Sequence, residues 1–416
     1  MLVWVFQTGE PLPSDDGNFR PMRAINISNM LLRKGHKVVL WSTAFFHQKK
    51  IHRSNEFKVI KISDNFEIRL IPSPGYRKNI SFNRFYDHCI LAYNLYKKLQ
   101  STNEKPDVGF IGFPPIEAAY VFTKWLKENN IPSLIDVKDQ WPTIIVDSLP
   151  SPLRVFGKIM LYPYYYMAKK AMHFSTGVCA HSKGFLDWSI MFSQRNQTNQ
   201  DIIVPLSVPD EKPNIKDSKD AKLWWKNIQI NSKRKFRVMF VGSLSRSFDF
   251  DPIFESSHNL KKQNINCEFV ICGEGEKFNS LKTKSKNFDN IKIIKWIDKA
   301  KIETLAKISD ATIAPYKNSS DLIISIPNKI IDSLRLGLPI LSPLKGELEV
   351  LIKENRIGLT YGGDSSLSDC IKTIINQPTR LESMSKNSRI LYNKKFQYQK
   401  VYDGVVTHLE ELTKRI

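Results

Sequence analysis

The residues best placed to do chemistry lie in the run SIPNKIIDSLRLGLPILSPLKGELE, Ser325 to Glu349. Asp332 offers a carboxylate suited to sugar hydroxyls. The Lys345-Gly346 turn leaves backbone N–H groups free for phosphates, because the first turn of a helix has no internal acceptors for them. The pattern predicts a helix over Lys329 to Arg335, a Gly-Leu-Pro stop, a buried strand over Ile340 to Ser342 and a new helix opening on Glu347. A turn at the carboxyl end of a parallel strand, leading into a helix N-terminus, is where open α/β sheets bind anionic ligands. An ordinary helix–strand–helix unit has the same pattern, and the run by itself leaves both readings open.

The order of residues resembles the donor-site signature of retaining, family 4 glycosyltransferases of the GT-B fold. The matching positions are Pro327, Lys329, Asp332, Gly337, Pro339, Gly346 and Glu349. Two departures stand out. The acid is Asp332 where the family has Glu, and a second acid eight residues upstream would fall on Ile324. The segment FVGSLSRSFDFDPI, Phe240 to Ile253, sits at a strand-to-helix turn where the family carries a phosphate-clamping Arg and Lys; here Ser243 and Phe248 stand in those places. Arg246 lies in the same loop, and a guanidinium forks onto phosphate oxygens; a solvated loop arginine is the alternative. CGEGE, Cys272 to Glu276, matches a Gly-x-Gly turn near the nucleotide base, a weak signal alone. The resemblance thus implies donor-binding roles for Gly17, Gly242, Ser243, Arg246, Gly273, Gly275, Pro327, Asn328, Lys329, Asp332, Lys345, Gly346, Glu347 and Glu349.

In DVKDQWP, Asp136 to Pro142, Lys138 occupies a position where the family often has a His near the donor sugar, and Asp139 follows. Lysine binds a hydroxyl or a phosphate but is a poor base unless its pKa falls. Asp139 orients the acceptor or the transferred sugar, or simply caps the next segment. The catalytic candidates are therefore Lys138, Asp139, Arg246 and Glu347. Further N-terminal pieces extend the resemblance to a subgroup of bacterial surface-polysaccharide enzymes: GEPLPSDDGNFRPMR, RKGHKVVLWST, HQKKIHR and SPGYRKNIS. His36 reads as a folding position. His47, Lys49, Lys50, His52 and Arg53 read as a basic loop, solvated or facing an anionic lipid acceptor.

These positions must be set by α/β units. A chain of 416 residues is too long for one core and suits two domains. Strand patterns at Leu2 to Gln7, Lys37 to Ser42, Val108 to Gly112, Ser133 to Val137 and Gly177 to Ala180 alternate with helix patterns such as Met22 to Arg33 and Ile116 to Glu128. A second round covers Phe236 to Val241, Cys267 to Cys272, Ile291 to Ile294, Ala311 to Ala314, Ile340 to Ser342 and Leu359 to Tyr361. Alternation of this kind means parallel sheets of βαβ units. The expected fold is α/β of GT-B architecture: an acceptor-binding Rossmann-like domain over 1–205, a linker over 206–235, a nucleotide-sugar domain over 236–395, an inter-domain cleft, and a final helix over about 396–416 crossing back to the first domain.

The composition adds partners. Five cysteines lack C-x-x-C spacing and read as reduced cytoplasmic thiols. No apolar run reaches membrane-spanning length, and MLVWVFQTGEP reads as a first strand rather than a signal peptide. The formal net charge is +21, and no acid falls between Asp147 and Asp187. In that interval Arg154, Lys158, Lys169, Lys170 and Lys183 mix with aliphatic residues and tyrosines. An anionic membrane surface, a core helix with a basic flank, and nucleic acid all fit, in that order, and no nucleic-acid motif accompanies the charge. The resemblance implies transfer of a sugar from a nucleoside diphosphate donor, with retention, to a lipid-linked saccharide acceptor at the inner face of the cytoplasmic membrane. It implies no cofactor and no metal, and no Asp-x-Asp motif is present. A GT-B nucleotide-sugar epimerase and a non-catalytic binding protein of the assembly system remain the rival classes.

Overall fold

The computed structural model describes residues 1–17, 21–79, 81–230 and 235–414. Parts of three expected features lie outside the described residues: 18–20 and 80 in the N-terminal motifs, 231–234 in the linker, and 415–416 in the last helix. The chain forms two units, Met1–Pro205 with Gln399–Ile416, and Leu206–Tyr398.

In the first unit the strands are β1 (Leu2–Phe6), β2 (Lys37–Thr43), β3 (Phe45–Phe46), β4 (Ile51–His52), β5 (Lys58–Ser63), β6 (Phe66–Ile71), β7 (Val108–Phe113), β8 (Ser133–Val137), β9 (Gly177–Ala180) and β10 (Ile202–Ile203). Eight of them make one sheet, in the order β10-β9-β8-β7-β1-β2-β6-β5, while β3 and β4 pair separately. Only the edge strand β5 runs antiparallel in the large sheet. The β5–β6 hairpin escapes the sequence patterns because β5 is almost wholly exposed and shows no buried alternation. The helix Phe82–Gln100 is likewise absent from them. The core is aromatic: Trp4 stacks on Trp125 at 5.4 Å and tilts against Trp41 at 5.1 Å. Residues of the helix Tyr398–Thr413 complete this unit. Its Tyr402 is buried and accepts a hydrogen bond from Asn26 Nδ2 at 3.3 Å, and Glu410 pairs with His36 Nε2 at 2.9 Å. His36 is thus the structural residue its position suggests.

In the second unit the strands are β11 (Phe236–Val241), β12 (Cys267–Cys272), β13 (Ile291–Ile294), β14 (Ala311–Ile313), β15 (Ile340–Ser342) and β16 (Gly358–Thr360). All are parallel, in the doubly wound order β13-β12-β11-β14-β15-β16. A sheet with helices on both faces buries both sides of a strand, so β12 reads CEFVIC with every residue buried. The described residues of the stretch 206–235, expected as a linker, cluster with this unit. Its helix Ile215–Asn227 buries Trp225 with Met239 and Leu305, and Trp225 donates its Nε1–H to the Lys301 carbonyl at 3.0 Å. The reason is apolar area: a polar stretch that buries Trp225 and Ile230, with Trp224 packed against them, docks rather than floats.

Across β11 and β12, Arg237 and Glu268 form a buried ion pair at 2.8 Å, and Arg237 Nη1 also donates to the Ile308 carbonyl at 2.6 Å. Removing one partner of such a pair strands the other charge in the interior. Glu268→Ala is therefore expected to destabilise the second unit by about 3–5 kcal/mol. Hydrogen exchange of the β11 and β12 amides measures this, and wild-type protection in the variant contradicts it.

Candidate functional site

Three loops at the carboxyl ends of β11, β12 and β15, with the helix Asn328–Leu336, carry most of the predicted donor residues. Lys329 is the centre. Its Nζ donates to the Val241 carbonyl at 2.8 Å and lies over the rings of Phe240 at 4.8 Å and Phe248 at 5.4 Å. Burial lowers its pKa to about 8, with the nearby Asp332 charge opposing the shift. Gly242 makes this approach possible: a Cβ there would lie 1.3 Å from Lys329 Nζ. Phe248, which stands where the family has a cation, is a core residue. Its ring packs on Tyr316 at 4.6 Å and edge-on to Phe240 at 5.2 Å.

The turn after β15 is pinned from below. Asn318 accepts the Lys345 N–H at 2.8 Å and donates to the Pro343 carbonyl at 3.3 Å. Ser342 Oγ donates to the Ala314 carbonyl at 2.8 Å and accepts the Leu344 N–H at 3.2 Å. Gly346, at φ 74°, caps the helix Glu347–Asn355; a Cβ at this position would sit 2.0 Å from the Ile323 carbonyl oxygen. Having no side chain, Gly346 gives the first turn of this helix no side-chain cap. Glu349 turns along the helix instead, to Lys353 at 2.7 Å and Lys345 at 3.3 Å. The Lys353 hydrogen bond is the main cause that holds its carboxyl below the usual range.

Pro327 is the N-cap of the Asn328–Leu336 helix and Asn328 its exposed first residue, which puts Lys329 and Asp332 one turn apart. In the β11 loop Ser243 is exposed. Arg246 is 87% exposed and held by one carboxylate: Glu276 Oε2 meets its Nε at 2.8 Å and Glu276 Oε1 accepts its N–H at 2.8 Å. The Gly273 and Gly275 loop packs on the β11 loop, with the Leu244 N–H donating to the Glu274 carbonyl at 2.8 Å.

Lys138, Asp139 and Gly17 belong to the first unit. Lys138 Nζ is shared by Glu10 at 2.7 Å, Gln7 at 2.8 Å and Asp136 at 3.6 Å. Asp136 is fully buried and lies 3.5 Å from Arg23 Nε. Glu10 also accepts the Ala24 N–H at 3.0 Å. Beside them, burial together with the Arg23 charge pushes His181 down to about 4. Sequence reasoning misses the residues that hold Lys138, although Glu10 and Asp136 stand inside the GEP and DVKD motifs. Asp139 is not the N-cap of the next helix, which starts after Pro142 without a side-chain cap. Gly17, at φ 117°, is exposed. The basic loop is less solvated than its composition implies: Arg53 is buried on Asp15 at 2.6 Å, and His52 Nε2 bonds the Ser73 carbonyl at 3.0 Å.

Residues 224–414, which hold the Lys329, Gly242 and Gly346 cluster, match the family described as glycosyl transferases group 1. Over the whole chain the architecture is the GT-B fold. Sucrose-phosphate synthase from Thermosynechococcus elongatus aligns at TM-score 0.71 and 12% identity, covering 100% of both chains. HepE of Anabaena, in complex with UDP, aligns at 0.65 and 12%, covering 99% of each. WaaG, a glycosyltransferase involved in lipopolysaccharide biosynthesis, aligns at 0.62 and 13%, covering 98% of this chain and 99% of its own. No curated protein matches the chain in sequence.

The buried lysine gives the second unit a pH signature. The folded pKa of Lys329 lies below its ordinary 10.5, so between the two values the unfolded chain binds more protons and stability rises with pH. Lys329→Met is expected to be more stable than wild type at neutral pH, with the gap closing as pH climbs from about 8 toward 10.5. Thermal midpoints of both proteins across that range decide it; a gap independent of pH contradicts the burial argument.

Proposed function

We propose that this chain transfers a sugar from a nucleoside diphosphate donor to an acceptor hydroxyl, with retention at the anomeric carbon. The observation that carries this reading is the joint placement of Lys329 beneath Gly242 and of a helix N-terminus opened by Gly346, both within the stretch that matches group 1 glycosyl transferases. A diphosphate leaving group gains charge toward the transition state, and fixed donors aimed at that charge lower the barrier. Lys329 and the first-turn N–H groups after Gly346 take the phosphates. Asp332 takes the ribose hydroxyls. Glu347 or Glu349 meets the sugar or the diphosphate turn. Arg246 leaves Glu276 for a phosphate oxygen, an exchange favoured by its exposure. In the first unit, Lys138 stays with Glu10 and Asp136 as a fixed cation, and Asp139 orients the acceptor or the sugar.

UDP is the first probe, since HepE is seen with it. Lys329→Ala and Asp332→Ala are each expected to weaken UDP binding by about 1.5–3 kcal/mol. Calorimetry that finds wild-type affinity in both variants sinks the assignment.

The acceptor in this reading is a lipid-linked saccharide, reached from the inner face of the cytoplasmic membrane. Support comes from the acid-free interval. It folds as the short helix Arg154–Met160 followed by Tyr162–Phe174. Val155, Phe156, Ile159, Met160 and Tyr162 are each more than half exposed. Apolar side chains standing in water among basic residues match an anionic lipid surface, which takes both. No helix among the described residues is long and apolar enough to cross a membrane. Wild type is expected to sediment with phosphatidylserine vesicles at low salt and to be released as salt rises. Changing Arg154, Lys158, Lys169 and Lys170 to Gln weakens this, and changing Val155, Phe156 and Ile159 to Ser weakens what survives high salt. Equal sedimentation of all three proteins rules the surface out.

A further inference from the structure

A cleft of about 770 Å³ opens beside β16, one of the two edge strands of the second unit's sheet. Its walls are β16, the carboxyl end of the Glu347–Asn355 helix, and the helices Leu367–Asn376 and Pro378–Leu391. The size suits a small-molecule ligand. Lys353, Arg356 and Arg380 line it, and no acidic side chain does. On a chain with 41 acids, three cations around one concavity without a carboxylate make a pocket ready for an anion.

Each cation is differently disposed. Lys353 is shared with Glu349 at 2.7 Å. Arg380 has only a neutral partner among the described residues, Gln377 Oε1, at 3.1 Å. Arg356 ends its helix in the left-handed region, at φ 50°. Its carbonyl is fixed by Asn387 Nδ2 at 3.2 Å, whereas its guanidinium has no hydrogen bond or ion pair among the described residues. The backbone is therefore anchored and the fork is available. Thr360 and Ser383 add hydroxyls to the lining. The floor is neutral: Cys370 donates its Sγ–H to the Thr360 carbonyl at 3.4 Å.

We propose that this cleft binds a phosphorylated small molecule carrying hydroxyls, such as a sugar phosphate. Arg356 and Arg380 hold the phosphate, because two guanidinium forks match its oxygens bidentately. Thr360 and Ser383 meet the hydroxyls. The site is separate from the one at Lys329. The Glu347–Asn355 helix gives its amino end, at Gly346, to that site and its carboxyl end to this cleft.

Calorimetry on the full chain tests it, with glucose 6-phosphate as the probe at constant ionic strength. The comparison is wild type, Arg356→Gln, Arg380→Gln, the double variant, and Lys329→Ala. Glucose 6-phosphate is expected to bind wild type and Lys329→Ala alike, and to lose about tenfold in affinity for each guanidinium removed. Both arginines are exposed, so their replacement leaves the fold intact, and unchanged thermal midpoints verify that. Three results overturn the proposal: no binding at millimolar concentration, equal binding to wild type and the double variant, or binding abolished by Lys329→Ala. The last would place the ligand at the Lys329 site. Failure of UDP binding with retained glucose 6-phosphate binding bears on the donor reading alone.

Discussion

The second unit is arranged around one charge that water only partly reaches. An ammonium group is costly to desolvate, and Lys329 is kept where it is by a carbonyl, two aromatic faces and the absence of a side chain at Gly242. The rest follows from that need. Phe240 and Phe248 supply quadrupoles as well as core volume. The β11 loop leaves the sheet with a residue that has no Cβ. The Asn328–Leu336 helix is set so that its second residue points back over the strand end. A phosphate arriving here would meet a cation whose own solvation is already given up, a preorganised electrostatic arrangement.

The first unit solves the same difficulty in another way. Lys138 is surrounded by carboxylates and an amide, and Asp136 beneath it is shared with Arg23. The cluster is a network of alternating charge in a low-dielectric surrounding, in which each member justifies the next. Its lysine has its needs met by full charges, while the lysine of the second unit leans on a carbonyl and aromatic faces, with Asp332 nearby. That asymmetry is why Lys329 carries the binding proposal and Lys138 a supporting one.

Regular structure is legible wherever a strand is buried on both faces. Phe236–Val241, Cys267–Cys272 and Ile340–Ser342 can be read to the residue, because each is a short, mainly apolar run between turn residues, broken in the first two only by Arg237 and Glu268, which pair with each other. The β5–β6 hairpin is not legible, since exposed β5 gives no alternation to find. Side-chain partners are the least legible part. Arg246 and Glu276 are 30 positions apart and Lys138 and Glu10 are 128, and no local pattern encodes such distances. The helix Ile215–Asn227 misleads for a related reason: polarity dominates its composition, and the anchoring of Trp225, Trp224 and the following Ile230 does not.

The return of residues 399–414 to the first unit bears on how the protein is made. Leu409 and Leu412 are buried, and Tyr402 closes onto Asn26. A ribosome emits these residues only after the whole second unit has been synthesised. The unit that comes first in the message is therefore the one completed last, and the surface that Tyr402, Leu409 and Leu412 bury stands open throughout elongation. During that interval the nascent chain presents the kind of surface that chaperones cover.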